Sequence, residues 1–252
     1  MTNKLSNLLA VVAAVAVLAS SAAVAQESVF RREVKQGSAK TWVAKLKTRD
    51  ELGQQMKGLP SVRMLAEQLP DTFEQQLDEA WELVKSGGTD YEVAAKVRAD
   101  VFLAGRIVMP KAGDEAIAKY VSYIAGKMRV IGEKRPQSCR LFLKRSNEED
   151  ELVLALTHKE LAQGMEVIDE LFRSVDDKNA FRGRWEEASM MALQYIAQGL
   201  PERERNILFN GADKDASDRE VCDSVAKMYD TIGVMPLQER AVIMRLLNRK
   251  VS

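Results

Sequence analysis

The sequence has little histidine, cysteine or aromatic content, and it has no excess of charge of either sign. Its 252 residues include one His, two Cys and 6% aromatic residues, and 37 basic side chains balance 37 acidic ones. One histidine excludes metal sites built on two imidazoles. A formal charge of zero argues against a general nucleic-acid-binding protein, whose affinity requires excess Lys and Arg. Few aromatic rings argue against a carbohydrate site, since such sites stack sugars on rings.

The sequence predicts no catalytic residue, no metal site and no cofactor. His158, the one imidazole, directly follows Thr157 at a predicted helix start, and no nucleophile motif accompanies it. Asp213 begins a segment that resembles the opening of a calcium loop. However, Asp218 stands where the loop requires glycine, and Ser224 stands where it requires a bidentate glutamate. The segment is better explained as the acidic start of a helix.

Residues 1–25 have the features of a secretory signal peptide. Lys4 is the one charged residue before Glu27, and Leu8 to Ala19 is an unbroken apolar run. Small residues at 23 and 25 provide a signal-peptidase site. The run of about 12 residues is too short to cross a bilayer. We therefore predict cleavage after Ala25, a mature chain without a membrane span and a periplasmic location, with secretion as the alternative.

The two cysteines are interpreted in the light of this predicted export. An even number of cysteines in an oxidising compartment favours a disulfide, so we predict a bond between Cys139 and Cys222. Cys222 lies three and seven residues before Val225 and Tyr229 on an apolar stripe, so we expect its side chain to be buried. Two buried free thiols are the alternative, and a catalytic thiol is disfavoured.

Helix signals dominate the chain and predict an all-α protein, a single globular multi-helix domain of antiparallel helical hairpins. Ser or Thr precedes Glu by three residues at 48, 89, 146, 157 and 217, the pattern of a capping box. Five of the six prolines follow Leu or Met, which predicts a helix boundary at each pair. We assign residues 26–47 to a loosely structured N-terminal segment and residues 48–252 to the helical domain. The predicted helices are 49–57, 61–69, 71–86, 90–108, 113–131, 148–156, 158–174, 179–198, 202–210, 218–232 and 237–249.

The predicted helix 179–198 carries a clear apolar stripe. Ala188, Met191, Ala192, Tyr195 and Ile196 recur at helical spacing, which predicts that all five face the core. Elsewhere, residues 139–144 are the best candidate for a strand, although they equally fit the start of a helix.

Basic residues are concentrated between 129 and 145, just before the acidic run Glu148 to Glu151. Such a face can bind an anionic envelope polymer, a lipid headgroup or an acidic protein. The alternative is that these side chains are only solvated or pair with nearby acids. The candidate face comprises Arg129, Lys134, Arg135, Arg140, Lys144 and Arg145.

Since no catalytic motif is found, we expect an exported binding protein of the bacterial cell envelope. An adaptor, a chaperone-like holder or a toxin-immunity protein would fit, with another envelope protein as partner. An anionic or lipid ligand is a further candidate, whereas nucleic acid is not expected. One alternative is an apolar-ligand or lipid carrier that uses the Met- and Leu-rich helices. A second is a carboxylate-based envelope hydrolase. The methionines concerned are Met190, Met191, Met228, Met235 and Met244.

Overall fold

The computed structural model describes residues 42–140, 156–183, 185–210 and 212–248, and within these ranges the protein is helical with no strand. We number the α-helices of the described ranges in chain order. They are α1 (Arg49–Met56), α2 (Pro60–Gln68), α3 (Pro70–Lys85), α4 (Asp90–Val108), α5 (Asp114–Lys134), α6 (His158–Arg173), α7 (Trp185–Gly199), α8 (Glu202–Phe209), α9 (Asp218–Gly233) and α10 (Leu237–Leu247). Short 3-10 helices lie at Val43–Lys45, Met109–Lys111, Asp177–Asn179 and Ala212–Asp215. The all-α prediction is confirmed.

Local side-chain chemistry explains where the helices begin. Thr89, Thr157 and Ser217 form complete capping boxes at the starts of α4, α6 and α9. Each hydroxyl accepts from a backbone N–H three residues later, and the glutamate there accepts in return. Thr48 accepts from the Glu51 N–H at 3.2 Å, but the Glu51 carboxylate turns to the Lys47 N–H at 2.7 Å instead. The predicted box at Ser146 lies outside the described residues.

The prolines lie at helix boundaries, as predicted. Pro60 and Pro70 are the first residues of α2 and α3, where a missing N–H breaks no hydrogen bond. Pro201 and Pro236 lie one position earlier and are the N-cap residues of α8 and α10. Pro110 lies in the 3-10 helix between α4 and α5.

The main core is a cluster of buried apolar side chains that extends in sequence from Val43 to Leu246, and a small second cluster consists of Ala95, Ala99 and Leu161. Helix α5 is central to it and packs against α6, α9 and α10, most extensively against α9. A Cβ atom at Gly132 would lie 2.9 Å from Cys222 Cβ, and one at Gly233 would lie 3.8 Å from Val121. These contacts show that α5 and α9 run antiparallel. In the other half of the fold, α6 packs against α2 and α4.

Three details differ from the sequence-based boundaries or refine them. Residues 42–47 are attached to the core, because Asp90 accepts the N–H groups of Trp42 and Val43 at 3.1 and 3.0 Å. Helix α7 begins at Trp185 and not at 179, since Asp176 caps a separate 3-10 helix through the Lys178 N–H. Residues 138–140 are helical, so the strand alternative is wrong there, and residues 141–155 lie outside the described part.

The apolar stripe of α7 is only half buried, which corrects the prediction for Met191 and Tyr195. Ala192 and Ile196 face the core, whereas Met191 is 66% exposed and Tyr195 is 52% exposed. The reason is that α7 lies at the periphery and packs on α9 and α10 with one narrow edge.

The buried carboxylate of Asp169 has no partner among the described residues that fully offsets the cost of its burial. Asp169 of α6 is 8% exposed and faces Ser61 in the first turn of α2. Burial raises the pKa of Asp169, although the Ser61 hydroxyl, the Arg173 guanidinium and the Ser61 N–H each oppose the shift.

Among the helices of the described residues, none combines the length and apolar character needed to cross a membrane.

Candidate functional site: a charged groove on helices α5, α8 and α9

The predicted pairing of the two cysteines is confirmed by their positions. Cys139 and Cys222 form a disulfide with their Cα atoms 5.2 Å apart, and both residues are fully buried. The bond joins the short helical segment that follows α5 to the first half of α9. Gly132 is required at this contact because a larger residue would collide with Cys222.

Two arginines reinforce the same junction by hydrogen bonds between its two parts. Arg140 donates to the Asp218 carboxylate and to the Ala216 carbonyl at the start of α9. Arg219 donates from Nη1 to the Gly132 carbonyl of α5 at 3.2 Å. The disulfide and these hydrogen bonds together fix the position of α9 along α5, and this position shapes the adjoining surface.

That surface contains an open groove of about 460 Å³ between α5, α8 and α9. Ile207 and Ala226 contribute buried apolar side chains to its lining, and charged side chains form most of the rest. Four cations and five carboxylates line it, so the formal charge of the lining is −1. The cations are Arg129, Arg203, Arg219 and Lys227, and the carboxylates are Glu133, Glu204, Glu220, Asp223 and Asp230. We call this feature the charged groove.

Ion pairs connect the helices that form the charged groove. Arg129 of α5 pairs with Asp230 of α9, and Lys227 of α9 pairs with Glu204 of α8. Arg203 of α8 donates from Nη2 to Glu220 of α9 at 2.9 Å, and Arg219 pairs with Asp223 within α9 at 3.3 Å. The side chains of the four cations are nevertheless 49–51% exposed. Each cation is thus fixed in place and still accessible from solvent.

The electrostatics of the groove favour permanent charge. The Ser217 N–H and hydroxyl, and then the Arg203 guanidinium, lower the pKa of Glu220 to about 2. The hydrogen bond from Lys227 lowers the pKa of Glu204. A general acid needs a carboxyl group with a raised pKa. The pKa values of Glu220 and Glu204 are lowered instead, so these two carboxylates are better suited to recognising a charged partner than to transferring a proton.

The described members of the predicted basic face contact different parts of the structure. Arg129 belongs to the charged groove, Arg140 contacts the start of α9, and Lys134 lies 3.5 Å from Glu160 in the first turn of α6. Arg135 is the C-cap residue of α5. Lys144 and Arg145 lie outside the described residues, as does the acidic run that follows them. Three of the basic residues therefore pair with acids other than that run, and docking of an anionic partner stays a prediction.

The other residues discussed from sequence are dispersed. His158 is the first residue of α6, directly after its cap Thr157. Met235 and Met244 are buried in the core, whereas Met190 and Met191 lie on the surface, so these methionines do not line one common cavity. Among the described residues, no group of three or more His, Cys, Asp or Glu side chains is arranged to hold a metal ion.

Sequence reasoning missed most of the charged groove. Of its charged residues, only Arg129 was among the candidates, because charged pairs occur throughout the chain and none is distinctive in sequence. Comparisons with protein-family models, curated proteins and solved structures each give no match.

Proposed function

We propose that this protein is an exported helical binding protein of the bacterial cell envelope, without catalytic activity, and that the charged groove holds a segment of a partner protein. An adaptor, a chaperone-like holder and a toxin-immunity protein are the members of this class that we consider. The observation that carries the proposal is the open groove in which three helices present fixed charges of both signs.

Permanent charges of both signs are suited to selecting a partner. Because the pKa values of Glu204 and Glu220 are lowered, these carboxylates stay ionised throughout the mildly acidic to neutral range. Charges at fixed positions discriminate between partners by the order of charge that the partner presents. The small net charge of the lining gives little general attraction to polyanions. We therefore expect a partner segment that carries both acidic and basic side chains.

The arginines retain hydrogen-bonding capacity for such a partner. Arg203 uses Nε and Nη2 to reach Glu220, at 3.1 and 2.9 Å. Arg129 donates from Nη1 to the Ala125 carbonyl at 3.3 Å and from Nη2 to Asp230. A guanidinium has five N–H groups, so each arginine can also donate to a partner carboxylate without breaking its internal ion pair.

The test begins with affinity capture of the mature protein from an envelope extract and identification of the partner by mass spectrometry. The affinity for that partner is then measured by calorimetry for the natural protein and for Arg129→Glu. We expect the substitution to weaken binding roughly tenfold to a hundredfold, in the range of a disrupted charge contact at an interface. Lys119→Glu is the matched control, because it reverses an exposed charge on the same helix outside the groove.

The double variant Arg129→Glu with Asp230→Arg separates binding from stability. It restores an ion pair between α5 and α9, so the melting temperature should return towards that of the natural protein. It also reverses the order of charges in the groove, so binding should remain weak. Recovery of binding together with stability would show that the pair is only structural and would refute the assignment of the groove.

A further inference from the structure

Helix α7 exposes an uncharged surface from Met190 to Gln198 in a chain that is otherwise rich in charge, and the exposed Glu187 lies one turn before Met191 at its edge. Charged residues make up 29% of the sequence, yet none occurs between Ala188 and Leu200. The exposed side chains of this stretch include two methionines, one tyrosine and two glutamines. They are Met190, Met191, Gln194, Tyr195 and Gln198.

Helical spacing makes these side chains neighbours. Met191 and Tyr195 are four residues apart, as are Gln194 and Gln198, so an apolar pair lies beside an amide pair. Ala192 and Ile196 on the opposite side are buried, and α7 packs there against α9 and α10. The fold therefore holds the uncharged face outward, on the side of α7 opposite to its contacts with α9 and α10.

We propose that this outer face of α7 is the interface of a symmetric dimer, with a second copy of the chain as its occupant. A two-fold axis places the same surface on both partners, so any charge at its centre would meet a like charge. The α7 face avoids this cost at its centre, because Met191, Gln194 and Tyr195 are uncharged and the exposed Glu187 lies at its edge. Its glutamine carboxamides both donate and accept hydrogen bonds, so they are complementary to themselves. A two-fold axis that passes between Met191 and Tyr195 places the Met191 thioether of each copy against the Tyr195 ring of the other copy. Contact between a thioether and an aromatic ring is favourable.

The overall charge and the size of the face are consistent with a weak dimer. The formal charge of the chain is zero, so two copies are not repelled at long range. One helix face is small beside the roughly 1,200–2,000 Å² that specific interfaces bury, so the association should be reversible and dependent on concentration. The five exposed residues do not line the charged groove, so this inference is independent of the proposed function.

Sedimentation velocity on the purified mature protein, over roughly 1–300 µM, tests the proposal. The weight-average mass should rise towards twice that of the monomer as the concentration increases. Met191→Lys and Tyr195→Lys should each weaken association at least tenfold, because the two-fold axis places two new charges in one interface. Tyr195→Phe retains the ring and should associate normally. Val234→Lys adds a charge at an apolar position outside α7 that is 85% exposed, and it should also leave association unchanged.

Three results would overturn the proposal. They are a monomer at every concentration, association that the two lysine variants do not change, and an equal loss of association in Val234→Lys. Thermal melting confirms that each variant is folded. If either lysine variant unfolds, Gln194→Lys supplies the same test at an exposed polar position.

Discussion

Replacing both Cys139 and Cys222 by alanine removes the covalent link between the helical segment that follows α5 and helix α9. The cysteines are 83 positions apart, so the bond closes a long loop in the unfolded chain. The loop-closure relation gives about 4–5 kcal/mol of stabilisation for a loop of this length. Typical domains have a total stability of about 5–15 kcal/mol. The substitution should therefore remove a large share of the free energy of unfolding.

The native structure should survive this change at low temperature. The hydrogen bonds of Arg140 to Asp218 and Ala216, and of Arg219 to Gly132, still hold α9 against α5. The double alanine variant should thus show a native circular dichroism spectrum and cooperative unfolding. Its melting temperature should be lower by about 8–20 °C, taking about 2–4 °C per kcal/mol for a domain of this size.

Urea unfolding of the oxidised natural protein and the alanine variant measures the effect directly. Alanine replacement is preferable to reduction, because the disulfide is fully buried and a reductant reaches it slowly in the folded state. A loss of less than about 1 kcal/mol would refute the reasoning, because it would mean that the link does not restrict the unfolded chain as the loop-closure relation requires.

Three further predictions concern the core and the amino terminus. Asp169→Asn should raise the urea midpoint at pH 7, because the raised pKa of Asp169 in the fold means that its ionised form destabilises the protein. The difference in midpoint between variant and natural protein should shrink as the pH falls below the folded pKa of Asp169. Equal midpoints of the two proteins from pH 4 to 8 would contradict this prediction. Gly164→Ala should cost about 1–3 kcal/mol in urea unfolding, since its Cβ would collide with Tyr123, whereas Gly126→Ala, with nothing within 4 Å, should be neutral or stabilising. N-terminal sequencing of protein from the envelope fraction should begin at or near Gln26, and an intact Met1 would refute cleavage.

The helices were predictable because their boundaries depend on neighbours in sequence. Thr89, Thr157 and Ser217 each satisfy the N–H groups of the turn that follows, and this requires no distant contact. Pro60 and Pro70 act locally in the same way. The predicted start of α7 was wrong because Asp176 caps a separate 3-10 helix, and apolar periodicity alone does not reveal this local hydrogen bond.

The charged groove and the exposed side of α7 depend on how helices cross, and no local pattern contains that information. Glu204 and Lys227 are 23 positions apart and become partners only because α8 packs on α9. Met191 and Tyr195 have the spacing of core residues, and they are exposed because α7 finds neighbours on one narrow edge only. The sequence by itself thus determined the helices and their caps through local hydrogen bonding and apolar periodicity. It also predicted the pairing of the two cysteines, because no other cysteine is available as a partner. The tertiary structure alone decided which charges meet and which apolar side chains remain in water, since both depend on contacts between distant parts of the chain.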